Sequence, residues 1–285
     1  MAEIKKLERI ASQVRRDIIR QVYLSQSGHP GGSLGCTDLL VALYFKIMKH
    51  DPAFNMDGAG EDVFFLSNGH ISPVWYSVLA HAGYFPPSEL KTFRELNSRL
   101  QGHPTTHEDL PGIRVASGSL GQGISVAAGL ALAKKMNGDD RNVFVLTGDG
   151  EQQEGQIWEA ALFGPHNKLD NLIVIIDRNG QQIDGPTTEV LEVDDLGKKW
   201  EAFGWTVEHM DGNNMTEVIE TLQRVVKQEK NGKPVCIVMK TEMGKGVDFM
   251  EGTHHWHGKA PNEEQAKNAL GQLEETLGDF PAEGI

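Results

Sequence analysis

The chain has 285 residues, 39% of them hydrophobic and 24% charged, enough to enclose a substantial core. Its 40 Asp and Glu against 27 Lys and Arg leave a formal charge of -13, a field that repels polyanions and excludes general binding to nucleic acid or anionic membrane. The two cysteines, Cys36 and Cys236, lie in apolar or small-residue surroundings and read as buried thiols, which excludes a disulfide framework and a cysteine-built zinc site.

The first 26 residues are charged throughout, so they predict neither a signal peptide nor a membrane span, and a cytoplasmic protein is expected. Ile4, Leu7, Ile10, Val14, Ile18 and Val22 recur at spacings of three and four, the apolar face of a helix that Gly28-His29-Pro30-Gly31-Gly32 ends. A second apolar segment runs from Leu39 to Met48. Strand-like runs follow at Val63–Leu66, Val143–Thr147, Leu172–Ile176, Trp205–Glu208 and Val235–Met239, several of them apolar at every position, as in a parallel sheet covered on both faces. Helical patterns over 121–136 and 214–229 alternate with them. The fold class is therefore α/β, a mostly parallel sheet with helices on both faces, in one domain over 1–285. A helical tail from about residue 262, with Ala266, Leu270, Leu273 and Leu277 on one face, either docks or extends outward.

Chemistry concentrates at two strand ends. The run Val143–Thr147 ends in Gly148-Asp149-Gly150, and Leu172–Ile176 ends in Asp177-Arg178-Asn179-Gly180. A crossover carrying Trp158, Ala161, Leu162 and Leu169 brings both ends to one edge of the sheet, where open α/β sheets bind ligands. One carboxylate, one amide oxygen and the carbonyls of a tight turn are hard oxygen donors, the set that suits Mg²⁺ completed by substrate phosphates. Glycines flanking Asp149 let a diphosphate approach the backbone, so the expected object is a Mg²⁺–diphosphate. Each turn alone would be ordinary; their placement after two apolar strands one crossover apart makes the site.

Gly148-Asp149-Gly150 with Asn179 30 residues on resembles the thiamine-diphosphate fingerprint. The resemblance sharpens to the transketolase family through Ser27-Gly28-His29-Pro30-Gly31, Ser67-Asn68-Gly69-His70, Gly102-His103-Pro104, Gly118-Ser119-Leu120-Gly121-Gln122-Gly123 and Gly252-Thr253-His254, spanning roughly residues 10–260. It implies the thiamine-diphosphate-binding fold, with thiamine diphosphate and Mg²⁺ (Ca²⁺ or Mn²⁺ substituting) as cofactors. It implies that Asp149, Asn179 and the Gln181 carbonyl hold the metal, and that Gly150, His70 and His254 contact the diphosphate. Gly118 and Leu120 would meet the cofactor through their backbones and Ile183 would pack against its rings. Glu154 would help link the two halves of the active site. His29, His103 and His254 would line the substrate funnel, and histidine's ordinary pKa suits proton exchange with sugar hydroxyls. His50, His81, His107, His166 and His209 read instead as surface or satisfied residues. His254 reads as part of a loop over a diphosphate rather than a zinc ligand, having no carboxylate or cysteine partner at ligand spacing. His255 and His257 receive no role. Ser119 stands where the family commonly has proline, and the stretch from Gln101 to Gly112 departs from the full-length pattern.

Nothing in the sequence matches the family's pyrimidine-binding domain, whose glutamate activates the cofactor, or the arginines that grip a sugar phosphate. The expected protein is the N-terminal subunit of a split transketolase of the pentose phosphate pathway type, completed by a C-terminal subunit in an α2β2 assembly and acting on sugar phosphates. The rival readings are a ketolase on a modified sugar such as a sulfosugar or apulose derivative, and a 2-oxo-acid dehydrogenase α-type chain. A dinucleotide-binding reading of Gly121-Gln122-Gly123 fails because loop, not strand, precedes it.

Overall fold

β-Branched and aromatic residues without polar interruption can be buried only where both faces of a strand are covered, and four such runs, joined at the edge by a more polar fifth strand, build the central sheet. The structure, a computed structural model, describes residues 2–282. Its strands are β1 (Val63–Leu66), β2 (Val143–Gly148), β3 (Leu172–Arg178), β6 (Thr206–Asp211) and β7 (Val235–Lys240), with a two-stranded ribbon of β4 (Gln181–Gln182) and β5 (Gly185–Pro186) beside them. The sheet order is β1-β2-β3-β7-β6, and every pairing in it is parallel. Their carboxyl ends therefore share one edge. The register sets Gly148 opposite Asp177 and Arg178 opposite Lys240, which brings the loops after β2, β3 and β7 side by side.

The helices are α1 (Ala2–Ser25), α2 (Pro30–Gly35), α3 (Thr37–Ala42), α4 (Ser72–His81), α5 (Gln122–Met136), α6 (Gly155–His166), α7 (Thr187–Val190), α8 (Leu196–Ala202), α9 (Met215–Lys227) and α10 (Glu263–Gln272). One core joins α1, α3, α4 and α9 to one face of the sheet; a second joins α5, α6 and α8 to the other. Trp200, Trp205 and Trp158 knit the second core, with Trp200 and Trp205 edge-to-face at 4.6 Å. Leu162, expected inside the β2–β3 crossover, instead points outward at 62% exposure, while Ile157 and Ala161 take the buried face of α6. No helix among the described residues is long and apolar enough to cross a membrane.

The tail docks. Asn262 and Gln265 form a capping box that starts α10, and Ala266 and Ala269 are buried against the first core. Beyond α10, Arg16 of α1 grips the Asp279 carboxylate through two nitrogens, at 2.8 and 2.6 Å, and donates to the carbonyls of Leu270 and Leu273. Leu277 is exposed. Both cysteines are free and fully buried, as expected.

Candidate functional site at the carboxyl edge of the sheet

The end of β2 turns so sharply that Asp149 caps its own following turn. Its carboxylate accepts from the Gly150 N–H at 2.8 Å and, across the strand gap, from the Gly180 N–H at 2.7 Å. The side chain is buried. Directly behind it lies a second buried carboxylate, Asp177, which accepts from the Asn179 amide at 2.7 Å and from the Thr241 hydroxyl, and is hydrogen-bonded to the Cys36 thiol. Burial and then the proximity of Asp177 push the Asp149 carboxyl up to about 7, against the opposing pull of the two glycine amides. Among the described residues neither carboxylate has an ion-pair partner. Two buried carboxylates without a cation are what a divalent ion would neutralise.

The Asn179 side-chain oxygen accepts from the Gln181 N–H at 2.9 Å, an Asx turn that faces the backbone of 179–181 toward Asp149. Asp149, Asn179 and Gly180 together line a cavity of about 590 Å³ that also takes in Arg178, Lys240 and His209. Asp149, Asn179 and the main chain at Gln181 thus come together at one place, with the oxygen donors Mg²⁺ accepts. No group of three or more His, Cys, Asp or Glu side chains among the described residues is arranged to hold a metal.

At the same carboxyl edge of the sheet, where His70 follows β1, the structure assembles four imidazoles. His29 lies 5.0 Å from His70, 6.3 Å from His103 and 5.7 Å from His257 between ring centroids, and His70 stacks on His257 at 5.1 Å. Desolvation lowers all four. His29 falls to about 4, with further lowering by His257, Arg94 and His103. His70 falls well below the usual value, and His103 and His257 also fall. Each is neutral at pH 7 and presents one donor and one acceptor nitrogen. Among and next to them, His29 Nδ1, His257 Nδ1, Asn68 Oδ1, Ser117 Oγ and Arg94 Nε are buried with no hydrogen-bond partner in the chain. Buried polar atoms left unmatched in this number mark a place built for a polar ligand.

The remaining expected residues frame this cluster. Gly118 has φ +121°, and a Cβ there would fall 2.5 Å from the His103 ring, so only glycine lets the loop before α5 close over that imidazole. Leu120 is half-buried in the same loop. Ile183, 61% exposed, stands at the lip: a Cβ on Gly258 would lie 3.3 Å from His29 and 3.7 Å from Ile183. Gly150 faces Gln182 of the ribbon. Glu154, exposed, opens α6 beside Gly121.

His254 stays within electrostatic reach of His257, but among the described residues its ring contact is with His255 rather than with His29, His70 or His103. It packs on His255 at 4.3 Å, and it is His257, given no role from the sequence, that enters the cluster. The cause is Trp256, buried edge-to-face on Phe249; anchoring it sets which neighbouring histidine follows the chain inward, and the bare Gly258 backbone passes close to His29. The glycine after His257 was the available signal. Arg94 was also missed. It adopts φ +61°, its guanidinium presses on the Gly102 backbone, and it has no carboxylate partner among the described residues. His50 and His81 are satisfied as expected, by Tyr84 and the Tyr44 carbonyl and by Asp17 respectively.

Residues 7–281 match the family described as "Transketolase, thiamine diphosphate binding domain". The chain is 40% identical over 271 residues to a subunit of the apulose-4-phosphate transketolase of Actinobacillus succinogenes, covering 95% of this chain and 96% of that one. It is 40% identical over 268 residues to the 6-deoxy-6-sulfo-D-fructose transketolase subunit SqwG of a Clostridium species, covering 94% and 96%. The solved transketolase of Campylobacter jejuni superposes with a TM-score of 0.88 at 33% identity, over 96% of this chain but 44% of that one. The fold is thus that of transketolase structures, and the chain spans less than half of such a one-chain enzyme. The chain belongs to the transketolase family.

Proposed function

We propose that the chain is the diphosphate-binding, N-terminal subunit of a two-chain transketolase. Joined to a C-terminal subunit that brings the pyrimidine-binding domain, in an α2β2 assembly, it transfers a two-carbon ketol unit from a ketose phosphate to an aldose phosphate. The observation that carries this reading is the cluster of four neutral histidines, with unmatched buried polar atoms among and next to them, at the same carboxyl edge of the sheet as the buried carboxylates Asp149 and Asp177.

Asp149, Asn179 and the Gln181 carbonyl would hold Mg²⁺, and the metal would bring a diphosphate into a chain whose overall charge repels it. Gly150, His70 and His257 would donate to the diphosphate, Gly118 and Leu120 would offer backbone contacts, and Ile183 would cover the cofactor's ring at the lip. When bound, thiamine diphosphate supplies the nucleophilic carbon that carries the two-carbon unit. The protein's part is orientation and proton handling: neutral His29, His103 and His257 accept and return protons at the sugar hydroxyls. Glu154, exposed where α6 begins, would meet the complementary subunit, and His254 would border that surface. Free thiols and the absence of a membrane-crossing helix among the described residues suit a cytoplasmic location.

The names of the relatives favour a second reading within the same chemistry, a donor that is a modified sugar: one relative is named for apulose 4-phosphate, another for 6-deoxy-6-sulfo-D-fructose. The test is reconstitution with the co-purifying complementary chain, thiamine diphosphate and Mg²⁺, against a panel of plain, branched and sulfonated ketoses. Turnover with the pair and none with the lone chain supports the proposal; robust turnover by the lone chain overturns it.

A further inference from the structure

The roles proposed for metal, cofactor and sugar leave the buried carboxylate of Glu151 unused. Glu151 is 2% exposed and has no cationic partner among the described residues. Its Oε1 accepts from the Ser67 hydroxyl and from the Gly121 N–H at 2.8 Å, and its Oε2 accepts from the Gly148 N–H at 3.0 Å. These three donors belong to three different segments. Ser67 follows β1 and leads into Asn68-Gly69-His70. Gly121 closes the loop of Gly118 and Leu120 and starts α5. Gly148 ends β2 and precedes Asp149. Ser67 passes the link on, since its oxygen accepts from the Gly123 N–H at 3.2 Å.

We propose that Glu151 is a positioning residue that locks the three cofactor-facing loops, those carrying His70, Gly118 and Asp149, into one preformed cradle. The geometry explains why a carboxylate stands there. All three partners are donors, so the residue must accept on both oxygens, and a carboxylate alone among side chains of this length does so. Glutamine would set its NH₂ against either Gly148 or the Ser67–Gly121 pair and lose at least one bond. The inference rests on the reading of this edge as the cofactor site, but the locking itself is a property of the chain alone.

The experiment has two arms, using Glu151→Gln and, as a gentler lesion should that variant not fold, Ser67→Ala. In the unliganded chain, amide hydrogen exchange at Gly121, Gly123 and residues 67–70 should rise at least about tenfold, while the amides of β3 and α9 keep wild-type rates. Unchanged rates, or a rise of the same factor throughout, would overturn the proposal. In the enzyme completed by its partner chain, the thiamine diphosphate concentration for half-saturation should rise at least about tenfold with kcat at saturating cofactor within about twofold of wild type. A fall in kcat with half-saturation unmoved would overturn it as well. A wild-type enzyme that shows no response to the cofactor sinks the functional reading instead, and the exchange arm still decides the role of Glu151.

Discussion

Asp149 and the four histidines titrate in opposite senses, and that contrast yields the predictions at the scale of single residues. Histidines held below their ordinary value stay deprotonated in the folded chain while the unfolded chain takes up protons below about pH 6.5. Their contribution to stability is therefore present above that pH and lost as pH falls toward 4, and the His29 share is about 3 kcal/mol. Asp149, raised to about 7, works the other way: the unfolded chain releases its proton from about pH 4 upward, so this contribution weakens as pH rises to 7. Asp149→Asn removes this opposing contribution, so denaturation of the metal-free variant between pH 4 and 6.5 should be markedly steeper in pH than that of the wild type. Histidine NMR should find the His29 ring neutral at pH 6. Asp149→Ala should cost about 100-fold or more in Mg²⁺-dependent thiamine diphosphate affinity by calorimetry on the completed enzyme, with the far-UV spectrum unchanged. His257→Ala should lower kcat/KM by about 100-fold or more, and His254→Ala by far less. The juxtaposition of Asp149 and Asn179 was legible in the sequence because two all-apolar strands point to their own ends, whereas the second buried carboxylate, Asp177, was not singled out. The choice among His254, His255 and His257 was not, because it turns on how deeply Trp256 is buried, a fact of packing with no local signature. Glu151 was equally silent, because two of its three hydrogen-bond donors, Ser67 and Gly121, are distant in sequence, and so was Arg94, whose place rests on a left-handed backbone turn.

At the scale of elements, strand positions came through almost unchanged, since a run that is apolar on both faces has one place to go. Helix faces came through less well: α6 turns Leu162 and Phe163 outward and buries Ala160, Ala161 and Gly164, because small residues let the helix sit close to its neighbours. The tail shows how a polar contact settles what periodicity leaves open. Its apolar positions allowed docking or extension, and the grip of Arg16 on Asp279 and on two carbonyls of the α10 region decides for docking. That guanidinium is largely buried, so breaking the pair strands a charge. Asp279→Ala should therefore cost about 2 kcal/mol, or roughly 5 °C in Tm by calorimetric scanning, and should expose the segment after α10 to limited proteolysis.

For the whole molecule, the decisive fact is proportion. The chain reproduces the fold of transketolase structures at a TM-score of 0.88 while filling 44% of the one-chain enzyme's length. On the proposed reading its share of the site would be the half that holds a diphosphate, and with a charge of -13 that half would depend on a metal. The two sulfhydryls offer a way to watch this edge without any cofactor. Cys36 lies against Asp177, directly beneath the loops that would take the metal, whereas Cys236 sits mid-strand in the opposite core. Burial raises both thiols and shields them, so the native chain should ignore Ellman's reagent and the denatured chain should consume two equivalents. Cys36 then reacts only when its edge of the sheet opens, Cys236 only when the strand layer itself comes apart. The difference between their labelling rates is a clock for how often the empty half-site breathes.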